Sequence, residues 1–154
     1  MDEIDLQILH CLQKDGRTPF TKIAKITGVS ESTIRSRYAS LVEQGVVNTV
    51  SIADPFALGF QAPAVIGISV EPGTMEEVGK AVAKFPEVSY QVMVLGSYDL
   101  IVEVFCKDLA HLTEFVTQQL QKIPGVRHTE TLVIAKMLKL SYRWSPDFDL
   151  EDTE

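Results

Sequence analysis

The segments Lys84-Phe85-Pro86-Glu87-Val88 and Lys122-Ile123-Pro124-Gly125-Val126 share one grammar: an apolar residue closes a helical pattern, a proline stops it, and a β-branched run follows. Ahead of the first, Met75, Val78, Val82 and Phe85 recur at helical spacing; ahead of the second, Leu109, Leu112, Val116 and Ile123 do. Strands are expected before these helices at 64–70 and 100–106, and after them at 88–95 and about 129–140. The order is βαβ twice over, within residues 61–142. Right-handed crossovers then place both helices on one face of a four-stranded antiparallel sheet, the ferredoxin-like βαββαβ plan. One helix layer cannot cover both faces, so the apolar positions of the bare face need a cover; a second copy of the chain is the simplest, and side chains of the linker, which offers few residues, are the alternative.

The first third has a different rhythm. Ile4, Ile8 and Leu12, with Leu9 beside them, predict a helix over residues 2–15. Thr18-Pro19 reads as a cap and first position of a short second helix with Phe20, Ile23 and Ala24 inward, stopping near Gly28. Ser30 caps a third, whose Ile34, Tyr38, Leu41 and Val42 share a face and whose terminator is Gly45. The β-rich run at 46–52, ended by Asp54-Pro55, predicts a strand after the third helix, a wing. The expected fold class is α+β: a winged helix-turn-helix over 1–50, a linker strand over 51–60, the ferredoxin-like domain over 61–142 and an acidic tail over 143–154.

A net charge of −7 argues against a nucleic-acid partner only if it is evenly spread. It is not. Over residues 1–50, Lys14, Arg17, Lys22, Lys25, Arg35 and Arg37 balance Asp2, Glu3, Asp5, Asp15, Glu31 and Glu43, so the remainder carries the whole excess. Asp147, Asp149, Glu151, Asp152 and Glu154 crowd the end, a polar stretch expected to be frayed. No apolar run approaches the roughly 20 residues of a membrane span, and the acidic start lacks the pattern of a signal peptide, so a cytoplasmic protein is expected. Cys11 and Cys106 read as buried thiols, too few for a disulfide framework or a metal cluster. No catalytic constellation, phosphate loop or cofactor motif is present, and neither enzyme activity nor a cofactor is expected.

A third helix that follows a tight turn has the geometry to enter a major groove about 12 Å wide. Its outer face carries Ser32, Ser36 and Ser40, edged by Arg35 and Arg37, with Ser30 and Thr33 at its start. Hydroxyls and guanidinium groups suit base edges and phosphates. By residues alone, a solvated polar face is an equal reading.

Three stretches, Ile4-Asp5-Leu6-Gln7-Ile8-Leu9, Gly28-Val29-Ser30-Glu31-Ser32-Thr33-Ile34 and Leu41-Val42-Glu43-Gln44-Gly45-Val46-Val47, resemble the winged helix of the leucine-responsive/asparagine-regulator (Lrp/AsnC) family, the feast/famine regulators. Gly96-Ser97-Tyr98-Asp99 ahead of Leu100-Ile101-Val102 resembles that family's Gly-x-Tyr-Asp turn, and Pro124-Gly125-Val126 its last helix-to-strand turn. The resemblance spans about residues 2–140. It implies a prokaryotic, nucleoid-associated transcription regulator that binds double-stranded DNA through Ser30, Ser32, Thr33, Arg35, Ser36, Arg37 and Ser40. It further implies homodimers assembling to a higher oligomer, an octamer of four dimers in a ring, that answers to a small effector, an amino acid.

By its residues alone, Gly96-Ser97-Tyr98-Asp99 is a hairpin turn with a hydroxyl, a carboxylate and a backbone suited to an anion. The resemblance makes Gly96, Ser97, Tyr98 and Asp99 effector-binding candidates, with Asp99 drawing the ammonium. Thr129 and Thr131, two apart on the last strand, face one way and could add hydroxyls from a neighbouring subunit. Ser36, Ala39 and Ser40 stand where the family often carries lysine or arginine, which implies weak non-specific affinity for DNA. Two alternatives stand beside this reading. Haem-precursor (sirohaem-type) decarboxylases share the architecture, but of their histidine and arginine chemistry only Arg127-His128 offers a trace; a ligand sensor without DNA binding also fits the neutral first third.

Overall fold

Asp2 opens the first helix, α1 (Glu3–Lys14), through a reciprocal cap: its carboxylate accepts from the Asp5 N–H at 3.1 Å, and its own N–H donates to the Asp5 carboxylate at 3.0 Å. The computed structural model describes residues 1–140, and the expected tail over 143–154 lies outside the described residues. The second helix, α2 (Phe20–Thr27), begins one residue later than the sequence suggested. Pro19 is itself the cap, its carbonyl accepting from Ile23, while the Thr18 hydroxyl turns back to the carbonyls of Asp15 and Cys11. Ser30 caps α3 (Glu31–Glu43), its hydroxyl accepting from the Thr33 N–H at 3.1 Å. Gly45, at φ 70°, reverses the chain so that the Val46 N–H returns to the Leu41 carbonyl at 2.9 Å.

Ile8, Ile23, Ala24, Ile34 and Leu41 form the core of this unit, ringed by Ile4, Leu12, Phe20 and Tyr38. Val42, expected on the same face, is 45 % exposed because it stands about 100° around the helix from Leu41. The wing is absent: residues 46–52 form no strand. A β-branched run becomes a strand only where a neighbour supplies ladder partners, and this unit has no second strand among the described residues. Its Thr49 meets the Tyr38 hydroxyl at 3.0 Å, while Val50 and Ile52 stay exposed. Nor is there a linker strand over 51–60, where bonds from Leu58 N–H to Asp54 and from Phe60 N–H to Pro55 fold the chain into turns.

Residues Met1–Ser51 make up most of one compact unit and Ile52–Leu138 the other. The second contains β1 (Ala62–Val70), α4 (Met75–Val82), β2 (Val88–Met93), β3 (Leu100–Cys106), α5 (Leu109–Glu114) and β4 (Val126–Val133). The sheet order is β2-β3-β1-β4 with every pair antiparallel, as the repeated βαβ pattern requires. Alternation sends Ala64, Ile66 and Ile68 of β1 and Leu100, Val102 and Val104 of β3 towards the helices, where they meet Val78, Val82 and Leu112. The last strand is shorter than the expected 129–140 and starts earlier, because its ladder is set by β1: Val126 pairs with Val70, Val133 with Ala64, and the Ile134 N–H closes on the Pro63 carbonyl. The expected strand at 88–95 likewise ends at Met93, since the Val94 N–H bonds to the Asp99 carbonyl and closes the turn.

The second helical stretch departs most from expectation. After α5 the chain widens into a π-turn, Phe115–Gln119, and tightens into a 3₁₀ turn, Leu120–Lys122. In the wide turn the Leu120 N–H reaches back five residues to the Phe115 carbonyl, so the residues that follow it change phase. Phe115 and Leu120 are fully buried, and Leu109, expected inward, is 61 % exposed. Phe115 meets Phe85 edge-on at 5.3 Å between ring centroids, which ties the helical stretch to the end of the preceding repeat. No helix among the described residues is long and apolar enough to cross a membrane.

Candidate nucleic-acid interface and effector turn

Sterics and capping deliver α3 with one polar face outward. Ser32, Ser36 and Ser40 are all exposed there, as their spacing predicted. Their hydroxyls are not equally available. The Ser30 hydroxyl lies 2.8 Å from both Ser32 Oγ and Thr33 Oγ1, making a small hydroxyl cluster at the start of the helix. Ser40 Oγ accepts from the Gln44 side chain at 2.8 Å.

The two arginines are held differently. Arg35 is 66 % exposed, bridges to Glu31 one turn back at 2.7 Å, and lies 5.4 Å above the centroid of the Phe20 ring. Such a guanidinium is tethered by contacts that a phosphate can readily replace, since exposed pairs of this spacing contribute only about 0.3–0.5 kcal/mol. Arg37 is drawn inward, to 32 % exposure. Its Nη1 donates to both carboxylate oxygens of Asp2, at 2.8 and 2.7 Å, and to Asp5 at 3.0 Å. The Asp5 N–H and then the Arg37 guanidinium hold the Asp2 carboxyl below its ordinary range, and the two carboxylates hold Arg37 above its own. The sequence placed Arg37 on the outward edge, but the structure turns it onto α1. Nothing local marks that contact, because its partners lie 35 and 32 positions away.

The turn between β2 and β3 separates its residues by role. Asp99 is built into the sheet: its N–H donates to the Ile68 carbonyl at 2.9 Å, and its carboxylate accepts from the Val70 N–H at 2.7 Å, where β1 and β4 slip register. The Tyr98 ring lies flat on Gly67 of β1. A β-carbon there would come within 2.7 Å of it, so only glycine admits the ring. The Tyr98 hydroxyl donates to the Glu130 carboxylate on β4. Gly96 and Ser97 are exposed; Gly96 has no positive φ and open space around it, so its backbone does not require glycine there.

Thr129 and Thr131 do share one direction, but it is not that of Tyr98. They pair with Ile68 and Ile66, on the helix-covered face, and Thr129 accepts from the Gln121 side chain at 2.8 Å. Gly67 pairs with Glu130 on the opposite face. The structure therefore brings Tyr98 together with Gly67 and Glu130, which the sequence did not single out, and sets the two threonines apart from them. Arg127 and His128 are exposed on β4. Cys11 is half-buried and Cys106 buried, where burial first, then Glu87 and Asp108, pushes the Cys106 thiol up to about 11.

Comparison with known proteins matches both halves of the chain. Residues 1–42 fit the AsnC-type helix-turn-helix domain, and residues 63–144 fit the Lrp/AsnC ligand binding domain. The HTH-type transcriptional regulator FL11 of Pyrococcus horikoshii is 39 % identical over 140 residues, 90 % of this chain and 92 % of that protein. LrpA of Pyrococcus abyssi is 33 % identical over 140 residues, 90 % of this chain and 99 % of that protein. Among solved structures, Escherichia coli AsnC superposes with a TM-score of 0.80 at 25 % identity, covering 91 % of this chain and 95 % of its own. The regulator NMB0573 of Neisseria meningitidis, solved as an L-Met complex, superposes with a TM-score of 0.81 at 24 % identity, covering 92 % and 94 %. Matched in both halves and along nine-tenths of its length, the chain belongs to the Lrp/AsnC family, as a DNA-binding transcription regulator that carries the family's ligand-binding domain.

Proposed function

We propose that the chain is a sequence-specific regulator, not an enzyme, whose assembly or activity answers to an amino acid bound at interfaces between its C-terminal domains. It works in the cytoplasm of a prokaryotic cell, on nucleoid DNA, as a homodimer that assembles further, up to an octamer. The observation that carries the reading is the bare face of the sheet. Tyr90 and Leu132 are exposed there, and Val65, Val92 and Ile101 share that side around Glu103, with Phe105 meeting the Phe60 ring, so a lone copy would leave apolar side chains of this face in water. At the end of this face stand Tyr98 and Glu130, a hydroxyl and a carboxylate of the kinds that hold an ammonium group. A likeness in fold to a regulator crystallised with L-methionine supports an amino acid as the ligand. On α3, Arg35 and Ser36 supply the outward donors for the groove, with Ser32, Ser40, Ser30 and Thr33 around them.

Fluorescence anisotropy with duplex DNA from upstream of the protein's own gene tests the first half. Binding at moderate salt is expected, and Arg35→Ala should flatten the slope of log affinity against log salt by about 0.9 for each phosphate that the guanidinium neutralises. A thermal-shift screen of the amino acids, followed by size-exclusion chromatography with any hit, tests the second. A monomer indifferent to duplex DNA and to every amino acid would sink the proposal. A ligand sensor without DNA binding is favoured by one observation, the neutral charge of residues 1–50, and would show amino-acid binding with no anisotropy change.

A further inference from the structure

The clasp on Arg37 has a charge that its geometry alone does not reveal. Two carboxylates face one guanidinium, so the trio of Asp2, Asp5 and Arg37 carries a net negative charge at the edge of α3. Both carboxylates are already fixed by the reciprocal cap of α1, so they stand in place without help from the arginine. Among the described residues Nη1 is the nitrogen of Arg37 that is engaged, although a guanidinium has five N–H donors. A phosphate approaching the remaining donors meets an anionic group in place of a cationic one.

We propose that Asp2 and Asp5 are positioning residues that withhold Arg37 from DNA: the cap of the first helix doubles as an internal competitor for the phosphate backbone. The inference rests on the DNA-binding reading above and deepens it, leaving Arg35 as the arginine of α3 that meets DNA. It also gives the weak basicity of the first unit a second cause, since one of its cations is neutralised inside the fold.

The test compares Asp2→Asn with Glu3→Gln in the full-length protein, by anisotropy with one duplex at several salt concentrations. Asparagine caps a helix about as well as aspartate, so the fold is preserved. Glu3 is its exposed neighbour on the same helix and is not a partner of Arg37, so it reports the general effect of removing one negative charge. Asp2→Asn is expected to bind DNA more tightly than Glu3→Gln and to steepen the salt slope by about 0.9, which makes its advantage shrink about threefold between 50 and 200 mM salt. It should melt lower than wild type while binding better, a pairing that a purely structural role does not produce. In an Arg37→Met background the advantage should vanish; if that variant does not fold, the slope comparison carries the test alone.

Equal affinities and slopes for the two variants, or a loss of affinity in Asp2→Asn, would overturn the proposal while leaving DNA binding intact. Failure of wild type and both variants to bind the duplex at 50 mM salt would take down the DNA reading, and the proposal with it.

Discussion

Phe115→Ala is expected to destabilise the sheet-bearing unit by about 3–5 kcal/mol, the range for a buried phenylalanine truncated in a packed core. The ring is fully buried and meets Phe85 edge-on, so its removal opens a cavity between the helical stretch and the end of the first repeat. Against a typical domain stability of about 5–15 kcal/mol, that loss brings the unit close to unfolding. Leu109→Ala, one helix turn and a half earlier, should cost no more than about 0.5 kcal/mol because the side chain faces solvent. Urea denaturation followed by circular dichroism measures both. The pair is decisive in order as well as size: near-equal costs would mean that the Phe115 ring does not hold its buried place against Phe85 in solution.

That contrast marks a boundary of what the residues disclose. Where a signal is local, it is legible. The prolines at 86 and 124, the cap at Ser30 and the periodicity of α1 and α4 each act within one helical turn, and together they yield the element order and the two-layer plan. The π-turn is not legible, because Leu112 and Val116 are inward as a regular helix would have them, and only the burial of Leu120 beyond the wide turn discloses the change of phase. Strand ends are not legible either, since β4 runs only as far as β1 offers partners. The β-branched run after Gly45 reads as a strand on composition alone, but composition cannot supply a neighbouring strand.

The sites divide along the same line. Outward exposure of Ser32, Ser36 and Ser40 follows from helical period. The fate of Arg37 depends on carboxylates more than thirty positions away, and the facing of Thr129 and Thr131 depends on their register with Ile68 and Ile66. Each is a tertiary fact, invisible to a window of ten or fifteen residues.

Asp99 is where the two kinds of information meet, because the motif marks it for an effector while the fold gives it a bond to keep. Asp99→Ala removes the charged acceptor of the Val70 N–H and leaves that donor without a partner at the register slip, at a cost of about 1.5–3 kcal/mol. The turn then loses its anchor on β1, and with it the placement of Tyr98 over Gly67, so amino-acid binding should be lost together with stability. Asp99→Asn separates the jobs: its amide oxygen can still accept from Val70, while the charge that would draw an ammonium is gone. Denaturation should therefore return most of the stability to the asparagine variant, and calorimetry with the amino acid found in the screen should still register no binding. If the asparagine variant binds as wild type does, the carboxylate serves the fold alone and Glu130, across from Gly67, becomes the residue that holds the ammonium. If the alanine variant loses no stability, the bond to Val70 carries no weight, and the turn is held by its backbone bonds to Ile68 and Val94.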